Sequence, residues 1–477
     1  MSSIEQARAR APAPRRRTEP PAGRDHTDAV VLVSLQPRYP GSRWPVGLEP
    51  ILGRSPIQRH LVHLARLGVR HCTLLLGEGP DPQEVEHECC RQAAEVALDA
   101  MSVDCRRAGD AASAPLIADP PGHIVITPAE AVYDPRLYRT VWESPAAVWL
   151  VDRPPEGDRH SGGQLRPIGL AKLATPAAPA DSLIQRATAD FERTMAPEGR
   201  EPDEQLAVRA MPTYLPDLRR HLPVYWCAIR TESDRERASH LILDAAQKGV
   251  LDFPARFLHP VPENLLTRAC AGTPISPNQI TVFTGALAFT GTYLFATQWF
   301  GWGLAIALLV NVLDGVDGKL ARVRLQTSRA GDRLDHFLDV TFEFSWYLGL
   351  GWGLLQATGR PLPLQLGVGL IGVMIASRAL SGVYRLRTGR QIHDDRAFDR
   401  AFRLVAGRRN IFVLMLVVGL AAGRLPEAFS LAFGWGAATA LVYLTRIAME
   451  FGRSPDGGAG GAAQPLVGSK VPEESDR

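Results

Sequence analysis

The 477-residue chain changes character near Ile280, and that change limits what it can fold into. Before this point the residues read as water-soluble protein; beyond it, long apolar runs follow one another. A helix needs about 20 apolar residues to cross a bilayer core. Runs of that order fall at 279–297, 301–321, 333–356, 364–385 and 427–447, with a shorter one at 410–424. The expectation is a multidomain protein whose C-terminal part, 279–450, is an all-α six-helix transmembrane domain in contact with the lipid bilayer. Six crossings leave both ends on one side.

Arginines indicate that side. Lys319, Arg322, Arg324, Arg329 and Arg333 surround the second connection. Arg385, Arg387, Arg390, Arg396, Arg400, Arg403, Arg408 and Arg409 crowd the fourth, while the opposite loops offer little beyond Arg360 and Arg424. The positive-inside rule then predicts a multi-pass protein of the inner (plasma) membrane, with the soluble domain, the basic loops and the C-terminus in the cytoplasm. A net charge of +3 with 22% charged residues gives no sign of a nucleic-acid partner. Residues 1–27 are rich in Arg, Pro and Ala without an apolar core, which predicts a disordered tail and not a secretory signal. Residues 451–477 are expected to form a second disordered tail. The six cysteines, Cys72, Cys89, Cys90, Cys105, Cys227 and Cys270, make no metal-binding spacing and are expected to be buried or inert thiols.

The soluble half has its own pattern. Ala29–Leu35 is a short apolar run, Ser55–Leu67 has helical spacing and ends at Gly68, and Cys72–Leu76 is apolar again. Strand, helix, strand in that order is a βαβ unit. With further strands at His123–Thr127 and Ala147–Val151, residues 28–245 are expected to form an α/β domain with a mostly parallel sheet. Residues 246–278 would form a connector and a juxtamembrane helix. A helix is expected over Arg235–Gln247. Phe253–Cys270 mixes Phe257, Leu258, Leu265 and Leu266 with Arg256, His259 and Arg268, and fits either an interfacial amphipathic helix or an ordinary surface helix.

Chemistry concentrates in one stretch, DGVDGKLARVRLQTSRAGDRLDHFLD, from Asp314 to Asp339. Asp314 and Asp317 share one helix face; Asp335 and Asp339 share a face of the next helix. Four carboxylates gathered at the ends of apolar spans would repel strongly, and divalent cations would relieve the repulsion. All-oxygen ligands suit Mg2+ or Mn2+, two ions for four carboxylates. Gly318 and Ala321 leave room for a ligand, Arg322 offers a guanidinium fork to phosphate, and Gly331 would open the turn into the third span.

These positions, Asp314, Asp317, Gly318, Ala321, Arg322, Gly331, Asp335 and Asp339, fit the signature D-x2-D-G-x2-A-R-x8-G-x3-D-x3-D without a departure. The chain thereby resembles the CDP-alcohol phosphotransferase family over roughly 270–450. The resemblance implies six helices, often dimeric, and transfer of a substituted phosphoryl group from a CDP-alcohol donor to an acceptor alcohol with release of CMP. It implies metal ligation by Asp314, Asp317, Asp335 and Asp339, with Asp339 as the general base and Asp335, nearer the metals, the second catalytic carboxylate. The run TPISPNQIT, Thr273–Thr281, resembles the family's approach to the first span, where Asn278 and Thr281 would line the site. Arg378, Arg385, Arg408 and Arg409 are candidates for an acceptor phosphate, or serve topology and anionic lipid alone.

The first domain resembles a sugar-phosphate nucleotidyltransferase of Rossmann-like type. It keeps Gly41, Ser42 and Arg43, but has Leu35-Gln36-Pro37 after the first strand and Glu49, before Pro50, where such domains carry a catalytic lysine. Glu130 stands where a metal-binding aspartate is usual. The fusion resembles the bifunctional inositol-phosphate cytidylyltransferase/di-inositol-phosphate phosphate synthase group, with the cytidylyl-transfer half inactive. A two-step enzyme and a non-catalytic membrane scaffold are the alternatives.

Overall fold

A computed structural model describes residues 28–33, 42–77, 82–96, 101–107, 123–146, 148–152, 166–174, 204–215 and 218–451. The expectations for 1–27 and for the tail beyond Phe451, and the stretch Leu35-Gln36-Pro37 with Gly41, lie outside the described residues. The chain forms two compact units, one of residues 1–212 with 223–238, the other of 213–222 with 239–477.

The first unit is built on β1 (Asp28–Val33), α1 (Pro56–Leu67), β2 (His71–Leu76), α2 (Pro82–Ala94), β3 (Ser102–Arg107), β4 (His123–Pro128), β5 (Ala131–Tyr133), α3 (Pro135–Glu143), β6 (Val148–Asp152), β7 (Arg166–Ala174) and β8 (Glu204–Ala207). Its main sheet has seven strands in the order β3-β2-β1-β4-β7-β6-β8. β1 runs parallel to β2 and β4, and β2 to β3, whereas β7 lies antiparallel between β4 and β6. The expected α/β domain is thus present, with a mixed sheet.

Local chemistry sets the ends of α1. The Ser55 side chain accepts from the Gln58 backbone N–H and Gln58 returns the contact, Pro56 opens the helix, and Gly68 closes it at φ 93. Val31, Leu74, Leu61 and Leu64 are fully buried between sheet and helix. Where the resemblance expects a lysine, the Glu49 carboxylate accepts a hydrogen bond from the Ser42 hydroxyl. The thiols depart from expectation at one point: Cys90 is exposed, with its sulfur 3.1 Å from that of Cys105, because it sits on the outer face of α2 beside edge strand β3.

The second unit opens with a short hairpin, β9 (Tyr214–Leu215) and β10 (Arg220–His221). The chain then returns to the first unit, where β11 (Trp226–Ala228) pairs antiparallel with β5, and α4 follows over Glu232–Ala245. It starts earlier than the spacing suggests because Asp234 accepts from Thr231 N–H at 2.9 Å while Thr231 Oγ1 accepts from Asp234 N–H at 3.2 Å, which caps the helix. The expected amphipathic helix is broken in two, a wide turn at Pro254–Leu258 and α5 at Pro260–Ala271. Pro254 and Pro260 lack the N–H groups a single continuous helix would need.

Six further long or apolar helices follow: α6 (Pro277–Ala296), α7 (Phe300–Val323), α8 (Arg329–Thr358), α9 (Leu362–Thr388), then, after the short α10 (Ala397–Arg403), α11 (Arg409–Ala421) and α12 (Leu425–Phe451). Three of them, α6, α9 and α12, are long and apolar enough to cross a membrane. The expectation of six crossings therefore exceeds what length and composition show. α7 and α8 carry the charged stretch 314–339, and α11 has only 13 residues.

Backbone closeness holds the bundle. A Cβ added at Gly353 of α8 would lie 2.0 Å from the Phe295 carbonyl oxygen of α6, so only glycine lets those helices meet. Phe295, Ala307, Trp346, Leu350, Phe412 and Phe429 fill the interior, and Trp346 Nε1 donates to the Ala288 carbonyl at 2.7 Å. Tyr293, Trp299 and Trp302 stay exposed around the α6–α7 turn, as aromatic side chains do at a bilayer surface. Two basic residues read as loop charges are interior instead. Lys319 is 1% exposed and paired to Glu263 on α5, and Arg324 donates to the carbonyls of Cys270, Ala271, Thr273 and Ile275. Each needs a partner because a buried cation left unpaired is costly.

Candidate active site

The apolar helices α7 and α8 bring their charged ends together. Asp314 lies on α7, with Asp335 and Asp339 one turn apart on α8. One carboxylate oxygen from each of these three lies within 4.8 Å of the other two. Asp317 turns aside: Thr281 Oγ1 donates to its Oδ2 at 2.5 Å, and its other oxygen accepts from the Gly318 backbone N–H. Three of the four sequence-picked aspartates thus form one cluster, with Asp317 held next to it. Thr281 is therefore at the site, through Asp317.

Arg409, at the start of α11, is the cation that faces the cluster. It donates to Asp339 Oδ1 at 2.8 Å and to Asp314 Oδ2 at 2.6 Å, and lies over the Phe342 ring at 4.8 Å. A residue picked as an acceptor-phosphate ligand is thus paired with carboxylates. The other candidates, Arg378, Arg385 and Arg408, all line the cavity, but Arg378 also donates to Glu343 at 2.7 Å.

The remaining signature residues have visible local jobs. Arg322 reaches the cavity and its Nε donates to the Ala246 carbonyl at 2.7 Å. A Cβ on Gly318 would sit 3.2 Å from the Arg322 guanidinium, so glycine keeps that side chain's path open. Ala321 lies on the turn of α7 before Arg322 and is not among the cavity-lining residues. Gly331 does not open a turn; it is inside the first turn of α8, where its N–H is 3.0 Å from the Ser328 hydroxyl oxygen that caps the helix. A Cβ there would come 2.9 Å from Asn278 Oδ1, which places Asn278 against Gly331; Asn278 is not among the cavity-lining residues.

A cavity of about 550 Å3 joins these groups. One wall is acidic, formed by the aspartates. The cavity is also lined by cations, with Arg219, Arg403 and Arg408 near His393, and by Arg385. Arg403 is almost fully buried, and two of its guanidinium nitrogens have no hydrogen-bond partner among the described residues. Burial first, then the neighbouring Arg408, pulls its pKa down to about 9. Burial and the same arginines push His393 down to about 2, so the imidazole stays neutral. The buried Arg403 guanidinium has Arg408 and Arg219 beside it, with Asp252 as the carboxylate that faces it, and an anion would stabilise such a cationic group.

Sequence reading missed several of these groups. Arg219 sits on the β9–β10 hairpin, with no motif around it. Arg403 was counted as one more loop arginine. Glu343 left a signal, an acidic residue deep in an apolar run.

The sequence profile of the CDP-alcohol phosphatidyltransferase family matches residues 274–445. The "Bifunctional IPC transferase and DIPP synthase" of Rubrobacter xylanophilus is 30% identical over 140 residues, which cover 28% of this chain and 32% of that protein. The protein of the same description from Aquifex aeolicus is 27% identical over 198 residues, covering 41% and 44%. The chain thus spans less than half the length of these curated relatives. Among solved structures, Mycobacterium tuberculosis phosphatidylinositol phosphate synthase with CDP-DAG bound is 16% identical, covering 40% of this chain and 92% of that one, at a TM-score of 0.31. The eight signature positions and the profile coincide on one stretch of sequence, and residues 274–445 are a CDP-alcohol phosphatidyltransferase domain.

Proposed function

We propose that the protein is a membrane-embedded, metal-dependent CDP-alcohol phosphotransferase that moves a substituted phosphoryl group from a CDP-alcohol to an acceptor alcohol and releases CMP. The observation that carries this reading is the cluster of Asp314, Asp335 and Asp339, drawn from two helices, facing a cavity that is also lined by cations.

The donor set fits a hard divalent cation. The three side chains offer oxygen alone, close together, and Arg409 now offsets their charge. A Mg2+ or Mn2+ ion bound by them, with Asp317 joining for a second, would neutralise pyrophosphate charge and the charge that grows on departing CMP. The chain's own residues do the rest. Arg322 holds a phosphate oxygen of the donor, and Gly318 leaves the space for it. The acceptor hydroxyl attacks the phosphorus next to the donor's alcohol, the bond to CMP breaks, and Asp339 takes the hydroxyl proton. Arg409, gripping one Asp339 oxygen, fixes how that carboxylate is presented. Asp335, which has no hydrogen-bond partner among the described residues, is the other acidic group within reach.

The cationic lining defines the acceptor. Arg219, Arg385, Arg403 and Arg408 suit an alcohol that carries a phosphate, such as a phosphorylated polyol. The relatives' description as DIPP synthases supports this choice. The donor is of the CDP-diacylglycerol or CDP-inositol type. We place the cationic lining on the cytoplasmic side, with six crossings and a homodimer. A panel of acceptors, phosphorylated and not, offered to the full chain in detergent with magnesium and each donor, tests this. CMP release should be at least about tenfold faster with phosphorylated acceptors, the worth of a charged hydrogen bond. Equal rates would remove the anion from the acceptor's description.

A further inference from the structure

The signature stretch is braced from outside the matched domain. Residues 246–271 precede it, and they wall the cavity through Lys248, Asp252, His259 and Glu263. Two contacts tie this connector to the chemistry-bearing helices. Lys319, two residues beyond Asp317 on α7, donates to Glu263 Oε2 at 2.8 Å and to Asn264 Oδ1 at 2.8 Å. Asn410, next to Arg409, donates to the Asp252 carboxylate at 3.0 Å. Glu263 also packs on the residue after Asp314. A Cβ built on Gly315 would meet Glu263 Oε1 at 2.3 Å and Cδ at 2.6 Å. Both Gly315 and Lys319 fall at variable positions of the family signature, so the motif itself does not prescribe this brace.

We propose that Glu263 and Lys319 are positioning residues: their buried ion pair locks α5 onto α7 and sets where Asp314 points within the carboxylate cluster. The geometry leaves little slack. Lys319 and Glu263 are 1% and 6% exposed at their side chains, so neither partner has water to fall back on. Glu263 is held by Lys319 on one side and by the Gly315 backbone on the other, so a shift in either moves the turn that carries Asp314. A shift of about 1 Å in such a scaffold is enough to degrade a site built to close tolerance. The Asp252–Asn410 contact does the same for the turn that presents Arg409. This inference rests on the phosphotransferase reading, because it concerns the same carboxylates.

The test uses the full-length protein in detergent, with Mn2+ binding followed by electron paramagnetic resonance alongside CMP release. Glu263→Ala should weaken Mn2+ binding by about tenfold, the usual loss when a group that orients metal ligands is removed. Gly315→Ala should do the same by pushing Glu263 away. Glu263→Ala with Lys319→Met removes both charges and should recover thermal stability, because no cation is left unpaired. Its manganese affinity should stay low, since the brace is still missing. Full affinity in Glu263→Ala overturns the proposal, as does a double variant that regains affinity together with stability. If the wild type binds manganese but releases no CMP from any donor, the reaction is wrong and the positioning claim is judged on manganese alone. A wild type that binds no manganese overturns both.

Discussion

Arg409 shows what one residue does at this site. It is the cation between Asp314 and Asp339, with 12% of its side chain exposed. Removing one partner from a largely buried ion pair costs about 3 kcal/mol, since the remaining charges lose their compensation. Arg409→Gln should therefore lower the unfolding temperature clearly in magnesium-free buffer. Added Mg2+ should raise the variant's midpoint more than the wild type's, because a cation can then take over the neutralisation; differential scanning of both proteins reads this. Equal magnesium shifts would mean that guanidinium and metal do not share the carboxylates. At this scale the sequence was informative where a motif fixes spacing. The aspartates could be found by counting. The pairing of Arg409 with the carboxylates and the burial of Arg403 could not, because a loop arginine reads the same whether it faces lipid, phosphate or a carboxylate, and only the fold decides.

At the scale of elements, helix identity was legible and helix role less so. Polarity and length gave all six helices of the bundle to within a few residues, and Ser55 and Gly68 gave the ends of α1. The break between Leu258 and Pro260 was not seen, although the prolines were in view, since the apolar spacing on either side looks continuous. The reading of α7 and α8 as plain spans ran into their charged halves: the helices are long enough to cross, but the charged halves carry the aspartate cluster and keep them from being apolar enough. What holds these helices is backbone contact, and glycine is the signal. Gly353→Ala would put a methyl group 2.0 Å from the Phe295 carbonyl oxygen and force α6 and α8 apart. A cost of about 3 kcal/mol follows from overpacking of that kind. Thermal unfolding in detergent should show it. A midpoint unchanged from the wild type would mean that these two helices are not packed as described.

On the scale of the whole molecule, two units with different solvents share one chain. The first has the strand order of an α/β sheet domain, and its Glu49 carboxylate is turned to Ser42 where a lysine would be needed to offset phosphate charge. The full chain incubated with CTP and phosphorylated polyols should therefore release no pyrophosphate above background, and a coupled phosphate assay checks this. Release at a steady rate would restore the two-step reading. That the sheet domain could be read at all came from its βαβ start. That its antiparallel strand β7 could not be placed came from 153–165 and 175–203, long connections that carry no alternating pattern.

The central claim is that Asp314, Asp335 and Asp339 hold a divalent cation at which a CDP-alcohol is split. The most direct measurement is the rate of CMP release from a CDP-alcohol by the full-length protein as magnesium is titrated, for the wild type and for Asp335→Asn. The rate should rise and saturate with magnesium and vanish with chelator. For Asp335→Asn the rate should be at least about 100-fold lower, the scale of losing a charged group from such a site. Magnesium-independent release, or an Asp335→Asn variant as fast as the wild type, would contradict the claim.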